Sequence, residues 1–320
     1  MLRVKVAGCA AAAALMACVS YGASAQDQPY PNRYIRILTS EAGSTNDIVA
    51  RIIARYLPEK LGQPVVVENR GGPAADVVAR AAPDGYTILL YGSSVWVLPY
   101  FRHMSYDPLR DLTAVSSAYS QAIILLVHPS LPVKSVKDLM ALAKARPGQL
   151  LYSAGTTAAT PHLAMELFKY MSHLDLLRVN YKGTAPAVNA LMAGEVQVMF
   201  TGAGSVMPMV KSGRMRAIAV ATAERSPLVP GLPTVAESGL PGYDFTSVVG
   251  IFAPAKTPAA TVELLSREIS AILKRPDIVQ MLFESGTAAL GSTPDEFGAR
   301  VRADIDRWRK IIKDTGIQIE

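Results

Sequence analysis

Cysteine is almost missing from this sequence of 320 residues. Its two cysteines, Cys9 and Cys18, both lie within the first 25 residues. If that segment is removed, the remaining chain has no thiol. This excludes disulfides, cysteine nucleophiles, iron–sulfur clusters and cysteine-ligated zinc together.

Charged residues are also scarce, and they are not clustered. Asp, Glu, Lys and Arg make up 18% of the chain, the formal net charge is +6, and no block of five like charges occurs. A nucleic-acid surface needs basic residues gathered on one face, so we expect no nucleic-acid partner. Half of the residues are apolar, which predicts a folded chain with a sizeable core.

The motifs of several enzyme classes are missing as well. There is no Gly-x-Ser-x-Gly elbow, no Gly-Lys pair for a phosphate-binding loop, and no His-x-x-x-His spacing among the four histidines. We therefore predict no catalytic residues, no metal site and no cofactor.

What is present at the start of the chain is the pattern of a secretory signal peptide. Arg3 and Lys5 give a positive start, residues 7–19 are apolar, and Ala23 and Ala25 are the small residues that a signal peptidase recognises. The apolar run is too short to cross about 30 Å of hydrocarbon comfortably. The sequence predicts export to the periplasm, cleavage after Ala25 and a soluble mature chain.

Residues 15–18, Leu-Met-Ala-Cys, give an alternative, because they are similar to a lipoprotein box. Cleavage before Cys18 would leave a lipid-anchored protein.

Beyond the signal segment, short apolar runs alternate with helical patterns. Nine strands are predicted, at residues 34–38, 64–69, 86–92, 122–128, 149–153, 176–181, 196–201, 216–221 and 248–253. Continuous apolar runs, such as residues 122–127, are typical of strands buried on both faces, as in parallel sheets covered by helices. This alternation predicts a doubly wound α/β architecture.

Helix starts are marked by their capping residues. Ser44, Ser135 and Thr293 each precede an acidic residue by three positions, which is the spacing of a capping box. Thr160 and Thr257 are each followed by proline, which is favoured at the first helical position.

Two segments could link two lobes: the strand near residues 118–128, and the Gly- and Pro-rich residues 239–243 leading into 248–254. We therefore predict one lobe of residues 26–125 plus 248–320, a second lobe of residues 126–247, and two crossing strands between them.

The turn after the first predicted strand has the character of an anion site. Unpaired N–H groups at a helix start carry partial positive charge, glycine lets a ligand approach the backbone, and hydroxyls add donors. The candidate ligand residues here are Ser40, Glu41, Gly43, Ser44, Thr45, Asn46 and Asp47. The alternative is an ordinary capped helix start that binds no ligand, because it would show the same sequence pattern.

Other strands end in similar small polar turns, and ligands of open α/β sheets sit beyond the carboxyl ends of strands. The candidates in these turns are Ser93, Ser153, Gly155, Thr156, Thr157, Tyr181, Lys182, Gly183 and Thr201. The alternative is that such turns are simply rich in Gly, Ser and Thr. His162, beside the second turn, is a further candidate, or else a capping or packing residue; Lys182 could pair with a ligand carboxylate or lie in solvent.

Together these residues resemble the substrate-binding receptors of tripartite tricarboxylate transporters, the Bug family. The markers stand in order along the whole mature chain: Tyr30-Pro31, residues 43–51, 61–70, 82–87, 128–130, 145–148, 181–183, 233–237 and 239–243.

The resemblance implies a clamshell of the periplasmic-binding-protein type II kind, with two doubly wound lobes joined by two crossing strands. It implies that the chain is not an enzyme, captures a small carboxylate between two facing loops, and delivers it as a monomer to membrane permease subunits. A sensor that presents its closed form to a signalling receptor would use the same clamshell. An exported enzyme would need a catalytic group that is not visible.

Glu41 departs from the family pattern, because Ser-Glu-Ala-Gly-Ser stands where members often carry Phe-Pro-Pro-Gly-Gly. A carboxylate beside an anion site would repel the ligand. Either Glu41 is turned outward, or it accepts an amide, amino or hydroxyl group of the ligand.

Overall fold

A computed structural model describes residues 29–101, 103–155 and 157–315. The predicted signal segment, both cysteines and Thr156 lie outside these residues. In the described part of the chain, no helix is both long enough and apolar enough to span a membrane.

Eleven strands form two mixed sheets in the described residues. They are β1 (Ile35–Thr39), β2 (Val65–Asn69), β3 (Thr87–Tyr91), β4 (Leu112–Gln121), β5 (Ile123–Val127), β6 (Leu151–Ser153), β7 (Leu177–Val179), β8 (Val198–Gly202), β9 (Arg216–Val220), β10 (Ser247–Pro254) and β11 (Thr287–Ala289).

Ten α-helices accompany them in the same residues. They are α1 (Thr45–Leu61), α2 (Ala74–Ala79), α3 (Ser94–Val97), α4 (Val136–Ala145), α5 (Thr160–Ser172), α6 (Thr184–Ala193), α7 (Ala203–Lys211), α8 (Ala259–Leu273), α9 (Pro276–Glu284) and α10 (Pro294–Thr315).

The first sheet has the order β11-β4-β10-β3-β1-β2 and the second the order β7-β6-β8-β5-β9. β1 runs parallel to β2 and β3, and β6 runs parallel to β7 and β8. Because β1 leads into α1 and β6 leads toward α5, each sheet carries a strand–turn–helix unit of the kind that binds ligands at its carboxyl edge.

The chain passes between the two sheets twice, and the two passages lie side by side. Ala122 alone separates β4 from β5, and residues 221–246 lead from β9 back to β10. The Ala221 N–H donates to the Ile123 carbonyl at 2.7 Å, and the Phe245 N–H donates to the Ala221 carbonyl at 2.8 Å. This confirms the predicted clamshell class, with two sheets and two crossing segments.

The expected lobe boundary after residue 125 falls inside β5, whereas the change of sheet occurs at Ala122. Which residues move together as one lobe stays a prediction.

All nine predicted strands are present, and two further strands, β4 and β11, were not predicted. β5 is buried at all five residues, as its apolar run predicts, but it runs antiparallel to both β8 and β9. The inference of a parallel neighbourhood was wrong here, because β5 arrives from the other sheet and enters between strands that run the opposite way.

The three predicted N-caps form. The Asp47 N–H donates to Ser44 Oγ, the Asp138 N–H to Ser135 Oγ, and the Glu296 N–H to Thr293 Oγ1. The reciprocal bond of a capping box is made at Thr293, whose N–H donates to Glu296, whereas Asp47 and Asp138 accept from Gly43 and Lys134, one residue before the cap. α5 begins one residue earlier than predicted, because Ala159 rather than Thr160 is its N-cap.

The core of the first lobe is aromatic where α10 packs against the sheet. Phe297 of α10 lies beside Trp96 and Phe252, with ring centroids 6.1 and 5.0 Å away. The buried Trp96 also donates from Nε1 to Asp304 at 2.7 Å. These contacts fix α10 against α3 and β10.

Gly250 of β10 leaves the space that Phe297 fills, since a Cβ at this position would lie 2.0 Å from Phe297 Cζ. We expect Gly250→Ala to lower the free energy of unfolding by about 1–3 kcal/mol, the usual range for overpacking a core. Urea unfolding followed by circular dichroism measures this. Gly72→Ala is the matched control, because a Cβ there meets no atom within 4 Å. Equal stability of the two variants would contradict the packing described.

Candidate functional site

The turn before α1 is held together by its own polar groups. The buried Asp47 carboxylate accepts from the Gly43 N–H at 2.9 Å and from Asn69 Nδ2 at 2.9 Å, and it pairs with Arg51 at 3.0 Å. Asn69 also donates to the Ser40 carbonyl at 2.7 Å. The polar groups of the predicted site residues Ser40, Gly43 and Asp47 named here therefore already have hydrogen-bond partners within the protein.

These contacts set the pKa of Asp47. Burial by itself would raise it, but the hydrogen bonds from Arg51, Gly43 and Asn69 outweigh burial and lower the pKa to about 2. The carboxylate is charged at neutral pH and is neutralised within the turn, so it does not repel an anion strongly.

The start of α1 keeps two donors free. Ser44 Oγ accepts the Asp47 N–H, and the Ser44 carbonyl accepts the Ile48 N–H. Within the described residues, the Thr45 and Asn46 N–H groups have no acceptor in the protein. They lie at the positive end of a 17-residue helix, where an anion is favoured.

Two side chains of β4 fix this helix start from the side. Gln121 Nε2 donates to Thr45 Oγ1 at 3.1 Å, and the Tyr119 hydroxyl donates to Asn46 Oδ1 at 2.5 Å. Tyr119 and Gln121 were missed from the sequence, because β4 itself was missed. Their two-residue spacing, which places both on one face of a strand, was the available signal.

The turn after β6 supplies a second helix start. The Ala158 N–H donates to His162 Nδ1 at 3.0 Å, and α5 begins at Thr160 without a side-chain cap. Pro161 has no N–H to offer, and neither the Thr160 N–H nor the His162 N–H has an acceptor among the described residues. Of these two residues, Thr160 lines the cavity described below.

His162 stabilises this turn by accepting the Ala158 N–H. Its ring is buried, lies 3.8 Å from Glu166 through Nε2, and lines neither cavity described here. Burial first, and then the charges of Arg178 and Lys169, lower the pKa of His162 to about 3. It is therefore neutral at physiological pH, with Nδ1 as the acceptor.

A glycine pair joins the second turn to the next one. Gly155 has a left-handed φ of +58°, and a Cβ there would lie 2.9 Å from the carbonyl carbon of Gly183. The close approach brings the turn before α6 alongside the turn before α5.

The two helix starts face one cavity of about 220 Å³. Its walls come from both sides of the cleft: Ser44, Thr45 and Asn46 from the first turn, Ala159 and Thr160 from the second, and Tyr91, Gly92, Ser93, Ser94, Tyr119, Gln121, Ser247 and Val249 from the strands and turns around them. Ser93 Oγ is buried and has no hydrogen-bond partner among the described residues. A buried hydroxyl in that state indicates an acceptor or donor that a ligand or water supplies.

A second cavity of about 740 Å³ adjoins the first, since Tyr91 and Ser94 line both. Its walls come from segments that connect or form strands of both sheets. They are Gly72, Pro73, Ala75, Asp76, Val95, Leu98, Met104, Ser105 and Tyr106, between β2 and β4 of the first sheet, and Gly155, Thr157, Arg178, Asn180, Tyr181 and Lys182, after β6 of the second.

The structure thus brings some of the predicted site residues together and not others. Ser44, Thr45, Asn46 and Ser93 line the smaller cavity, and Gly155, Thr157, Tyr181 and Lys182 line the larger one. Ser40, Glu41, Gly43, Asp47, Ser153, His162, Gly183 and Thr201 line neither. Ser153 and Thr201 are buried in the second sheet, and Ser153 Oγ donates to the Ala187 carbonyl. Which residues contact a ligand stays a prediction.

Glu41 is exposed, and its Oε1 lies beside Gly71. Burial, with the Glu41 charge as a lesser cause, raises the pKa of Tyr91 to about 12. Glu41 is therefore close enough to act electrostatically on one residue shared by both cavities.

The described residues contain no group of three or more His, Cys, Asp or Glu side chains placed to hold a metal ion. The cleft offers backbone N–H groups, hydroxyls and amides, which recognise acidic or carbonyl groups by hydrogen bonds.

Residues 49–317 match the model of the tripartite tricarboxylate transporter family receptor, TctC. The protein BugT of Bordetella pertussis is 32% identical over 299 residues, which cover 91% of this chain and 92% of BugT.

Solved structures agree in fold. The R. palustris protein Rpa4515, solved with adipate, is 36% identical with a TM-score of 0.80, over 90% of this chain and 99% of that one. MatC from Rhodopseudomonas palustris, with bound malate, is 28% identical with a TM-score of 0.77, over 88% of this chain and 100% of that one. The periplasmic binding protein BugD is 29% identical with a TM-score of 0.77, over 90% and 99% of the two chains.

The buried charge of Asp47 makes the first turn sensitive to acid. Its pKa lies below the ordinary value of about 3.9, so the stabilisation is complete above about pH 4 and is lost as the pH falls toward 2. We expect Asp47→Asn to lower the free energy of unfolding by about 2 kcal/mol at pH 7, with the difference from the parent narrowing between pH 4 and pH 2.

Urea unfolding across this pH range measures the effect. Asp295→Asn is the control, since Asp295 is an exposed aspartate in the first turn of α10. A difference for Asp47→Asn that is absent at pH 7, or that does not change with pH, would contradict the assignment.

Proposed function

We infer the function of this chain from its family: it belongs to the tripartite tricarboxylate transporter receptor family. Members of this family are solute-binding proteins, and the chain is accordingly a binding protein and not an enzyme. We propose that its ligand is a small carboxylate held in the cleft between the two sheets.

The observation that carries this proposal is the pair of helix starts that face one cavity. The Thr45 and Asn46 N–H groups of α1 and the Thr160 N–H of α5 lie on opposite sides of it. Two positive helix ends around one small space favour an acceptor that carries negative charge. Adipate in Rpa4515 and malate in MatC are ligands of this chemical kind.

Binding to both sides of the cleft favours the arrangement in which the two sides are close. A ligand that contacts Thr45 on one side and Thr160 on the other binds the closed form more tightly than the open form, and so shifts the population toward closure. We propose that membrane permease subunits of a tripartite transporter recognise the closed form and take the ligand from it.

We further propose that the receptor is exported, cleaved after Ala25 and active in the periplasm as a monomer. The signal pattern of residues 1–25 supports export and cleavage, and those residues lie outside the described part of the chain.

A thermal-shift screen of the purified mature chain tests the ligand class. We expect at least one aliphatic mono-, di- or tricarboxylate to stabilise the protein, by about 2.7 kcal/mol when present at 100 times its dissociation constant. The corresponding amides serve as uncharged controls. Stabilisation by amides alone, or turnover of a compound by the purified protein, would contradict the proposal.

One backbone substitution tests the role of the first helix start. Thr45→Pro removes the Thr45 N–H, and proline is tolerated at the first helical position. The preceding residue, Ser44, already has the extended conformation that a residue before proline requires, with φ −73° and ψ 162°.

Thr45→Ala is the matched variant, because it removes the same hydroxyl and keeps the N–H. We expect Thr45→Pro to bind the best carboxylate of the screen roughly tenfold or more weakly than Thr45→Ala does, measured by calorimetry. Equal affinities of the two variants would show that this amide does not contact the ligand.

A further inference from the structure

Arg178 is a cation of the larger cavity that the sequence motifs do not single out. It is the middle residue of β7 and stands opposite Tyr152 of β6 in the sheet register. Its side chain is half-buried and lines the 740 Å³ cavity.

Among the described residues, no carboxylate forms an ion pair or hydrogen bond with the Arg178 guanidinium. Nη2 donates to the Gly155 carbonyl at 3.1 Å and to Thr157 Oγ1 at 3.2 Å, and both acceptors are neutral. Nε is buried and has no acceptor among the described residues. A partly desolvated guanidinium is stabilised most by a carboxylate or another anionic acceptor.

The protein's own carboxylate near Arg178 is already engaged elsewhere. Glu166 accepts from the Tyr152 hydroxyl, and Lys169 Nζ lies 3.2 Å from its Oε1. Burial lowers the pKa of Arg178, and the charges of Tyr152 and Glu166 oppose this only in part. The positive charge is thus held at an energetic cost that an anionic ligand would offset.

The other charges of the larger cavity add to this imbalance. Lys182 lines the same space as Arg178. Asp76 also lines it, but its carboxylate is paired with Arg80 at 3.1 Å and accepts from Ser105. The described lining residues therefore supply two cations, and one carboxylate that is already paired.

We infer that Arg178 forms a second anionic-group subsite, so that the ligand carries two separated acidic groups. One group lies at the starts of α1 and α5 in the smaller cavity, and the other pairs with Arg178 in the larger one. A single molecule can extend through both, because Tyr91 and Ser94 border each cavity. This inference rests on the proposed function and adds a residue that sets the specificity of that site.

The test compares diacids with their half-esters. Straight-chain dicarboxylates of four to eight carbons and their monomethyl esters are titrated by calorimetry into the mature chain and into three variants. In the parent, we expect the best diacid to bind roughly tenfold or more tightly than its half-ester, as a charged pair at a partly buried site provides.

In Arg178→Gln we expect the affinities for the diacid and its half-ester to differ by about threefold or less, mainly because the diacid binds more weakly. Arg178→Lys keeps the charge but not the planar fork, and should retain part of the preference. Arg214→Gln removes an exposed arginine of the same lobe that lines neither cavity, and should keep the parent ratio.

Three outcomes overturn the inference, and they are distinguishable. A parent that binds diacid and half-ester equally has no second anionic subsite, and this result needs no variant. Arg178→Gln that weakens both ligands equally means that Arg178 only orders the Gly155 turn. A parent that binds no carboxylate at all removes the proposed function together with the subsite. Thermal melts of each variant confirm that it is folded.

Discussion

The site depends on one physical constraint: two helices begin with N–H groups that have no acceptor in the part of the chain that the structure describes. α1 follows a strand of the first sheet and α5 a strand of the second, and both starts border the same cavity. The side chains that could have capped these donors are used elsewhere. Ser44 takes the Asp47 N–H, and Asp47 bonds Gly43 and Asn69. An acceptor from outside the protein is what completes this arrangement.

The passages between the sheets are linked to the same site. Tyr119 and Gln121 lie at the end of β4, directly before Ala122, and both bond the start of α1. The crossing and the first ligand-facing turn are therefore coupled through two side-chain hydrogen bonds. In the closure proposed above, these two bonds would link a ligand in the cleft directly to the crossing between the sheets.

The sequence allowed much of the fold to be predicted, because its signals are local. Apolar runs marked nine strands, and the predicted N-caps Ser44, Ser135 and Thr293 formed. β4 was not recognised, because its small and polar residues give no apolar run, and its pairing with β10 is distant in sequence.

The site was predictable only in part, for a related reason. A turn rich in Ser, Thr and Gly indicates hydrogen-bonding groups, but the sequence does not say which of these groups bond to each other within the turn. Ser40 and Asp47 accept hydrogen bonds from Asn69, whereas Thr45 and Asn46 border the cavity. Arg178 was missed because a charged residue in a short strand usually faces solvent, and only the fold places it at a cavity between two lobes.

Amide NMR of the isotope-labelled mature chain tests whether the starts of α1 and α5 both bind the ligand. The ligand is the carboxylate that gives the largest thermal stabilisation, added to saturation. We expect the amide proton resonances of Thr45 and Thr160 both to shift downfield, as N–H groups that gain an anionic acceptor do. Resonances of these two amides that stay in place while others in the cleft move would contradict it.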